Sequence, residues 1–245
     1  MRQTVPGEIS IYGEGFVKGL AIDAVIFGFH DNQLKILIIE HGDTNLFALP
    51  GGYIFEKEDL NDAAKRILAS KTGLQDIYLK QFHTFGDYSR NNQETIKTIM
   101  KGQGIAPDPR HWILGRFFSV GYYALVDFTK AIPTADALSD SCTWYDIHNL
   151  PPLILDHQKI AETALATLRK NLDEMIGINL LPENFTMADI KTLYETILGS
   201  ELSRSNFQRK ILSLDILERV ENISAKYSHK APFSYRFKRN AQNDG

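Results

Sequence analysis

The first part of the chain alternates between β-branched apolar runs and short polar stretches. Residues 20–29 (LAIDAVIFGF) and 34–41 (LKILIIEH) are apolar, and the short stretch HDNQ joins them. Two apolar runs on either side of such a turn predict a β-hairpin. Residues 77–86 and 117–128 have the same character, so they predict two further strands.

Other segments repeat apolar residues at the spacing of an amphipathic helix. Residues 60–73 predict one helix, which ends in a glycine at the position that favours a left-handed residue. Residues 156–175 predict a second, longer helix, and NQETIKTIM within the polar connection 88–116 predicts a short one. Helices mixed with strands indicate an α/β or α+β domain.

The pattern changes after residue 175. Residues 176–184 (IGINLLPEN) contain a glycine and a proline and lose the helical spacing, so they predict a linker. Thr186 and Asp189 then form a capping-box-like helix start. The sequence therefore predicts a first domain at residues 12–175 and a second at residues 185–240.

Charge is distributed unevenly between these two predicted domains. The whole chain has a formal net charge of -3, yet residues 203–240 contain nine basic and three acidic side chains, a net charge of +6. The rest of the chain is therefore acidic, with a net charge of −9. An acidic body with a basic tail indicates that the two parts contact different partners.

The second predicted domain has the order helix, turn, helix and wing. On its second helix, Phe207, Ile211 and Leu214 fall on one face, which defines the buried side. Residues 233–238 alternate between aromatic side chains and polar or basic ones, which predicts a strand with one basic face. Residues 228–232 would form the tip of the hairpin that leads into this strand.

Double-stranded DNA is the partner that this arrangement favours. Short polar side chains, amides and arginine are the groups that recognise base edges in a major groove, and lysines suit phosphates. The candidate contacts are the polar and basic residues of the second helix and the wing: Arg204, Ser205, Asn206, Gln208, Arg209, Lys210, Lys226, Lys230, Arg236 and Lys238. Because a basic run is commonly only a solvated face, a module that binds protein is the alternative.

Composition excludes several other classes of protein. With 43% hydrophobic and 23% charged residues, the chain resembles a soluble globular protein. It has no apolar stretch of about 18 residues and no secretory signal at its start, so we expect a cytoplasmic protein with no membrane partner. Cys142 is the only cysteine, which excludes an intrachain disulfide and a cysteine-built zinc cluster.

One stretch, LPGGYIFEKEDLNDAAKRILASKTGL at residues 49–74, carries the spacing of a known motif. It resembles the Nudix box, in which a glycine, a glutamate, an arginine, an apolar residue, and a final glycine and apolar residue recur at fixed distances. The matching residues are Gly52, Glu58, Arg66, Leu68, Gly73 and Leu74. The resemblance covers roughly residues 13–175 and implies a Nudix-like α/β/α sandwich with a mixed sheet.

The departures from this motif bear on activity. Where Nudix enzymes carry glutamates that bind Mg²⁺, this chain has Ile67, Ser70 and Lys71, which lie on one helix face at spacing i, i+3, i+4. Mg²⁺ needs oxygen ligands in near-octahedral geometry, which Glu58 alone cannot supply. We therefore expect no catalytic residue, no metal and no cofactor, and we expect Arg66 to form a structural salt bridge.

A Nudix-like domain without these glutamates, followed by a winged helix, resembles the Nudix-related transcriptional regulators. The resemblance implies a homodimer that senses a small molecule and controls binding of its winged helices to a palindromic operator. Segments such as GLAIDAVIFGF and SVGYYALV are similar to the branch that senses L-arabinose and controls carbohydrate metabolism. The alternatives are a regulator of NAD metabolism that senses ADP-ribose, and an active Nudix nucleoside-diphosphate hydrolase.

The effector pocket implied by this resemblance lies beside the former catalytic helix. Asp23 interrupts an apolar strand, and a buried carboxylate needs hydrogen-bond donors, which sugar hydroxyls or protein groups could supply equally well. The other candidate effector contacts lie on adjoining strands: Lys18, His83, Arg116 and Tyr122. Trp112 could stack on a sugar or cover the edge of the core.

Overall fold

The computed structural model describes residues 11–41, 44–75, 77–135, 141–175, 180–220 and 233–238. The elements of the first part are β1 (Phe16–His30), β2 (Gln33–Glu40), β3 (Phe47–Ala48), β4 (Gly51–Phe55), α1 (Leu60–Thr72), β5 (Tyr78–Phe85), α2 (Gln93–Gly102), β6 (Phe118–Val126), β7 (Ser141–Asp146), α3 (His157–Lys170) and α4 (Leu172–Met175). The second part contains β8 (Phe185–Thr186), α5 (Met187–Leu198), α6 (Arg204–Ser213), β9 (Leu217–Val220) and β10 (Ser234–Phe237).

The long strand β1 organises a mixed seven-stranded sheet. It pairs with β6 in parallel along most of its length, and with β2 and β4 in antiparallel fashion. β3 and β7 extend the sheet beyond β2, and β5 pairs with the far side of β6. The predicted hairpin of β1 and β2 is present, and its turn places Asp31 and Asn32 at φ 50 and 58, a conformation that these short polar residues tolerate.

Helices cover both faces of this sheet. Ala24 and Ile26 of β1 pack towards the helix α1, whereas Val25 and Phe27 pack towards α3. A strand that is buried on both faces must be apolar without alternation, which explains the continuous run LAIDAVIFGF. The layers therefore form the predicted α/β/α sandwich with a mixed sheet.

One apolar cluster continues from the sheet into the second part of the chain. It includes Phe27 of β1, Leu168 of α3, Ile190 of α5 and Ile211 of α6, all fully buried. Leu180 belongs to the same cluster and is only 9% exposed, although the sequence predicted a linker there. The predicted linker therefore does not separate two independent cores, and the division of the chain into residues 12–175 and 185–240 stays a prediction.

The second part has the predicted winged-helix architecture. Thr186 and Asp189 form a capping box at the start of α5, and Gly199 ends that helix with φ 71. Phe207 of α6 packs against Tyr194 of α5 with ring centroids 4.9 Å apart. The three strands of the wing are arranged in the order β8-β10-β9. The predicted hairpin tip at residues 228–232 lies outside the described residues.

No helix in the described part of the chain combines the length and the apolar character that crossing a bilayer requires.

Truncating the shared apolar cluster should destabilise both parts of the protein together. Leu168 is fully buried in α3, so Leu168→Ala should lower the free energy of unfolding by about 3 kcal/mol. Because the cluster is continuous, amide hydrogen exchange should speed up in both β1 and α5. Lys170→Ala on the exposed side of the same helix is the control, with an expected change within about 0.5 kcal/mol. Unchanged protection in α5 would contradict a shared core.

Candidate functional site

A cavity of about 530 Å³ lies between α1, α2 and the strands β1 and β4. α1 presents Arg66, Ile67, Ser70 and Lys71 to it, which is the helix face that carries the metal-binding glutamates in Nudix enzymes. The size falls within the range of about 300–1,000 Å³ that is typical of small-molecule sites. The helix face on which the chain departs from the Nudix box therefore forms one wall of a cavity.

The three substituted residues of this face adopt roles that do not involve a cation. Ile67 is 3% exposed and packs so closely on Gly52 that a Cβ at position 52 would lie 3.1 Å from its side chain. The Ser70 hydroxyl donates a hydrogen bond to the carbonyl oxygen of Ile67, 2.7 Å away. Lys71 is 1% exposed and is among the residues that line the cavity.

Glu58 is held by Arg66. Arg66 Nε donates to Glu58 Oε1 and an Arg66 terminal nitrogen donates to Oε2, both at 2.7 Å, and the Phe55 amide donates to Oε2 at 3.2 Å. Arg66 also donates to the carbonyl oxygen of Tyr53 at 2.9 Å. The guanidinium therefore holds the pKa of the Glu58 carboxyl below its ordinary value, and the pair ties α1 to the end of β4 as the sequence predicted.

These residues do not fit the magnesium ion of Nudix enzymes. Both Glu58 oxygens accept hydrogen bonds from protein groups, Ile67 offers no ligand, and Ser70 is turned to its own helix. Lys71, on the same face, offers no oxygen ligand to a divalent cation. Within the described ranges, no group of three or more His, Cys, Asp or Glu side chains is arranged to hold a metal ion.

Asp23 lies at the opposite side of the cavity in a buried polar network. Arg90 donates a hydrogen bond to Asp23 Oδ2 at 3.2 Å. The Ser119 hydroxyl donates a second hydrogen bond to the same oxygen at 2.5 Å. His157 Nδ1 accepts a hydrogen bond from the Leu49 amide, so its proton is on Nε2, which lies 3.5 Å from Asp23 Oδ1. Protein groups thus supply the donors that this carboxylate needs.

Gly51 permits this network to form. A Cβ at position 51 would lie 2.7 Å from the Ile22 carbonyl oxygen and 2.8 Å from Asp23 Oδ1, so only glycine fits between the two strands. The first glycine of LPGG is therefore required by the close approach of β4 to β1.

Aromatic side chains line a third side of the cavity. Phe16, Tyr53 and Phe117 border the cavity, and Trp112 packs behind them, with its ring stacked on Phe16 at 5.5 Å. Burial, reinforced by the nearby negative charge of Asp23, raises the pKa of the Tyr53 hydroxyl well above its ordinary value, so Tyr53 stays neutral. Flat apolar surfaces of this kind suit a stacked ring of a ligand.

Only one of the five predicted effector residues, Asp23, lines this cavity. Lys18 and His83 are exposed, and His83 packs on the ring of Phe85. Arg116 is also exposed and donates to the carbonyl oxygen of Gly86 at 3.0 Å. Tyr122 is a core residue under α1, with its hydroxyl donating to Asn61 at 2.7 Å.

Sequence reasoning missed the wall that α2 contributes. Ile96, Ile99 and Met100 line the cavity from a helix that was predicted only as a short element in a polar connection. Their spacing of i, i+3, i+4 within NQETIKTIM was the available signal. Arg90, the last residue of a short helical turn at Tyr88–Arg90, had no such signal.

The helix α6 has the two faces that the sequence predicted. Phe207 and Ile211 are buried against α5, and the residues predicted to contact DNA are exposed: Arg204, Ser205, Asn206, Gln208, Arg209 and Lys210. Arg209 donates to Asn206 Oδ1 at 3.0 Å, which orders both side chains on the outer surface. This helix is the candidate nucleic-acid interface.

Three of the predicted DNA contacts form ion pairs within the protein. Lys210 Nζ lies 2.7 Å from Asp173 of α4, so it faces the first part of the chain. On the wing, Arg236 pairs with Glu218 and Lys238 with Asp215. Lys226 and Lys230 lie outside the described residues.

Comparisons with known proteins agree with both parts of the structure. The sequence profile of the NUDIX domain matches residues 18–168, and that of the NrtR DNA-binding winged helix domain matches residues 177–237. The chain therefore belongs to the Nudix family, as a Nudix-related transcriptional regulator with a winged helix.

The relatives narrow this class further. The ADPR responsive transcriptional repressor NtrR of Acinetobacter baylyi is 30% identical over 227 residues, which cover 89% of this chain and 81% of that protein. The crystal structure of Shewanella oneidensis NrtR is 27% identical, covers 89% of this chain and 94% of that one, and superposes with a TM-score of 0.67. The same regulator in complex with a 27mer DNA gives 0.66 over 89% of this chain and 93% of that one, at 27% identity.

A MutT/nudix family protein from Enterococcus faecalis shares the fold. It is 20% identical, covers 91% of this chain and 87% of its own, and superposes with a TM-score of 0.65. The ADPR responsive repressor of Acinetobacter baylyi favours the ADP-ribose alternative over the sugar branch, so the preference for L-arabinose and carbohydrate metabolism is not supported.

Replacing Glu58 should reveal a structural salt bridge through its pH dependence. Glu58→Gln should lower the free energy of unfolding by on the order of 1 kcal/mol at pH 7, because Arg66 is partly exposed and solvent screens the pair. Since Arg66 lowers the pKa of Glu58 from its ordinary 4.5, the wild-type advantage is complete above pH 4.5 and disappears as pH falls through the lower folded value. Urea denaturation at several pH values measures this. Glu56→Gln, on an exposed neighbour, should show no such dependence, and a constant Glu58→Gln effect down to low pH would contradict the salt bridge.

Proposed function

We propose that this protein is a homodimeric transcriptional repressor that responds to ADP-ribose and has no Nudix hydrolase activity. The observation that carries the proposal is the combination of an ADPR-responsive relative with a retained cavity on the altered Nudix helix. The repressor acts in the cytoplasm, where its palindromic operator lies. Residues 12–175 bind the effector and dimerise, and residues 185–240 bind DNA.

The walls of the cavity support ADP-ribose as the effector. The aromatic side chains Phe16, Tyr53 and Phe117 offer a surface for stacking the adenine ring. The basic face of α1 lies beside them and suits the diphosphate, and the polar side that contains Asn91 and Asn92 suits ribose hydroxyls. A pentose alone would leave most of the aromatic and apolar wall without a partner.

The helix α3 offers a route from the cavity to the DNA-binding part. Asp156, immediately before α3, pairs with Arg90 Nε at 3.3 Å, and Arg90 lines the cavity. At the other end of α3, Arg169 Nε donates to the carbonyl oxygen of Ile197 in α5 at 2.6 Å. An effector that displaces Arg90 would therefore shift a helix that is packed on the winged helix.

The loss of hydrolase activity follows from the altered helix face. A Nudix reaction needs a cation to withdraw charge from the diphosphate, and Ile67, Ser70 and Lys71 cannot hold one. The Glu58 carboxylate already accepts hydrogen bonds from two of the Arg66 nitrogens.

Adding ADP-ribose should change the affinity for operator DNA by about fivefold or more, the range of typical allosteric coupling. The measurement is a gel shift or fluorescence anisotropy with DNA from upstream of the gene, with and without the ligand. L-arabinose at the same concentration is the control and should have no effect. A response to L-arabinose alone would contradict ADP-ribose as the effector. After incubation with Mg²⁺ or Mn²⁺, ADP-ribose should remain intact, and rapid release of AMP would contradict the proposed loss of hydrolase activity.

Removing Arg209 should weaken specific DNA binding more than non-specific binding. Arg209 is exposed on α6 and has the donors that recognise a guanine edge, so Arg209→Ala should cost about 1–3 kcal/mol on the operator. Arg110→Ala, which removes an exposed arginine from the loop before Trp112, is the matched control and should leave binding unchanged. Titrations against operator and scrambled DNA decide this, and equal losses on both DNAs would argue against base recognition by Arg209.

A further inference from the structure

The outer surface of α6 carries an apolar side chain among polar ones. Leu212 lies in the last turn of this helix and is 46% exposed, whereas Phe207 and Ile211 are buried on the inner side. Single exposed leucines are common on protein surfaces, so exposure alone assigns no role. What distinguishes Leu212 is its position among side chains that suit DNA.

Leu212 shares a stripe of the helix with Ser205 and Arg209. The three residues follow one another at spacing i, i+4, i+7, which places them on one face of an α-helix. Ser205 and Arg209 are also exposed, and both are side chains of the kind that contact base edges. At about 1.5 Å per residue the stripe is about 10 Å long, which matches about three base pairs of DNA.

The end of α6 fixes the position of Leu212. The Leu214 amide donates to the carbonyl oxygen of Ile211, and the Asp215 amide donates to that of Leu212, both at 3.3 Å. Asp215 then adopts φ 53, so the chain leaves the helix directly after this turn. The backbone therefore holds Leu212 at the end of the exposed stripe.

The charge around Leu212 favours DNA over a protein surface as the partner. Arg204 and Arg209 are exposed on the same helix, and residues 203–240 have a net charge of +6. The buried core of a protein–protein interface is depleted of charged residues, whereas a DNA duplex attracts basic ones along its phosphates.

We propose that Leu212 recognises a thymine of the operator through apolar contact with the C5-methyl group of that base. This inference rests on the DNA binding in the proposed function. The methyl group is what distinguishes thymine as an apolar surface in the major groove, and apolar side chains contact it in protein–DNA complexes. Arg209 lies one turn earlier on the stripe, so the two side chains contact neighbouring base pairs.

Replacement of thymine by uracil in the operator tests this inference on the full-length protein. Uracil lacks only the C5-methyl group, so it removes the proposed contact and preserves base pairing. The operator is located by footprinting upstream of the gene, and fluorescence anisotropy is measured on duplexes in which equivalent thymines of both half-sites are replaced together. The wild type should bind one such duplex about tenfold more weakly, because burying one methyl group contributes about fourfold in each half-site.

Variants of Leu212 show whether this side chain is responsible for that loss. Leu212→Ala should bind the thymine operator about tenfold more weakly than the wild type and should bind the thymine and uracil duplexes equally, within about twofold. Leu212→Met keeps an apolar side chain of similar volume and should retain the preference for thymine. Ile132→Ala is the matched control, because Ile132 is an apolar side chain that is 70% exposed in the first part of the chain. It should discriminate between the duplexes as the wild type does.

The outcomes separate this inference from the proposed function. If no replacement weakens wild-type binding, or if Leu212→Ala loses as much on the uracil duplex as the wild type, the role of Leu212 is wrong and the repressor stands. If the coupling between Leu212 and one thymine is present but ADP-ribose leaves operator affinity unchanged, the effector is wrong and the role of Leu212 stands. If footprinting finds no protected sequence, both are wrong.

Two further measurements on Leu212→Ala exclude an indirect effect. A thermal unfolding midpoint and a gel-filtration volume equal to those of the wild type show that the lost binding is neither lost folding nor lost assembly. If Leu212→Ala instead elutes as a smaller species than the wild type, Leu212 is a contact between subunits and its proposed role at the DNA is wrong.

Discussion

The burial of α3 on two sides is the constraint on which the rest of the structure depends. One side of this helix covers the sheet, where Val25 and Phe27 of β1 meet its apolar stripe. The same cluster continues to Ile190 and Ile211 in the winged helix. Since the hydrophobic effect is the largest favourable contribution to folding, the two parts of the chain cannot separate without exposing this cluster. The winged-helix part is therefore docked on the Nudix part.

Under the proposed function, this packing sets how ligand binding in the cavity can affect the winged helix. The cavity contains Arg90, which holds Asp23 on one strand and Asp156 at the beginning of α3. A buried arginine between two carboxylates is costly to leave without a partner, so a ligand anion near it competes with strong interactions. The far end of α3 holds α5 through Arg169, and Lys210 of α6 pairs with Asp173 of α4. The structure therefore contains two contacts that a shift of the Nudix part would strain or release.

Much of the fold could be predicted from local patterns. The hairpin of β1 and β2, the helix α1 with its glycine end, and the capping box of α5 are each determined by neighbouring residues. The short strands β3 and β4 and the strand β7 were not predicted. β3 has two residues and β7 is only half-buried, so neither leaves a pattern of apolar positions long enough to recognise. Leu180 was assigned to a linker because its burial depends on packing that is distant in sequence.

The candidate site was harder to predict than the fold. The altered helix face was evident because the motif fixes the spacing of Ile67, Ser70 and Lys71. The opposite side was not, because Asp23 and Arg90 are 67 positions apart and meet only in the folded sheet. Four of the five proposed effector contacts were placed by their position on adjoining strands, which does not tell whether a strand residue faces the cavity, the core or the solvent.

The aromatic side of the cavity gives the protein an intrinsic optical probe. The chain has two tryptophans. Trp112 stacks on Phe16 and contacts Tyr53, both at the cavity, and its buried indole nitrogen has no hydrogen-bond partner among the described residues. The other tryptophan, Trp144, lies on β7, which pairs with β2, and its ring packs beside that of Phe128. Indole emission depends on the polarity around the ring, so one fluorophore reports on occupancy while the other serves as an internal reference, without any label.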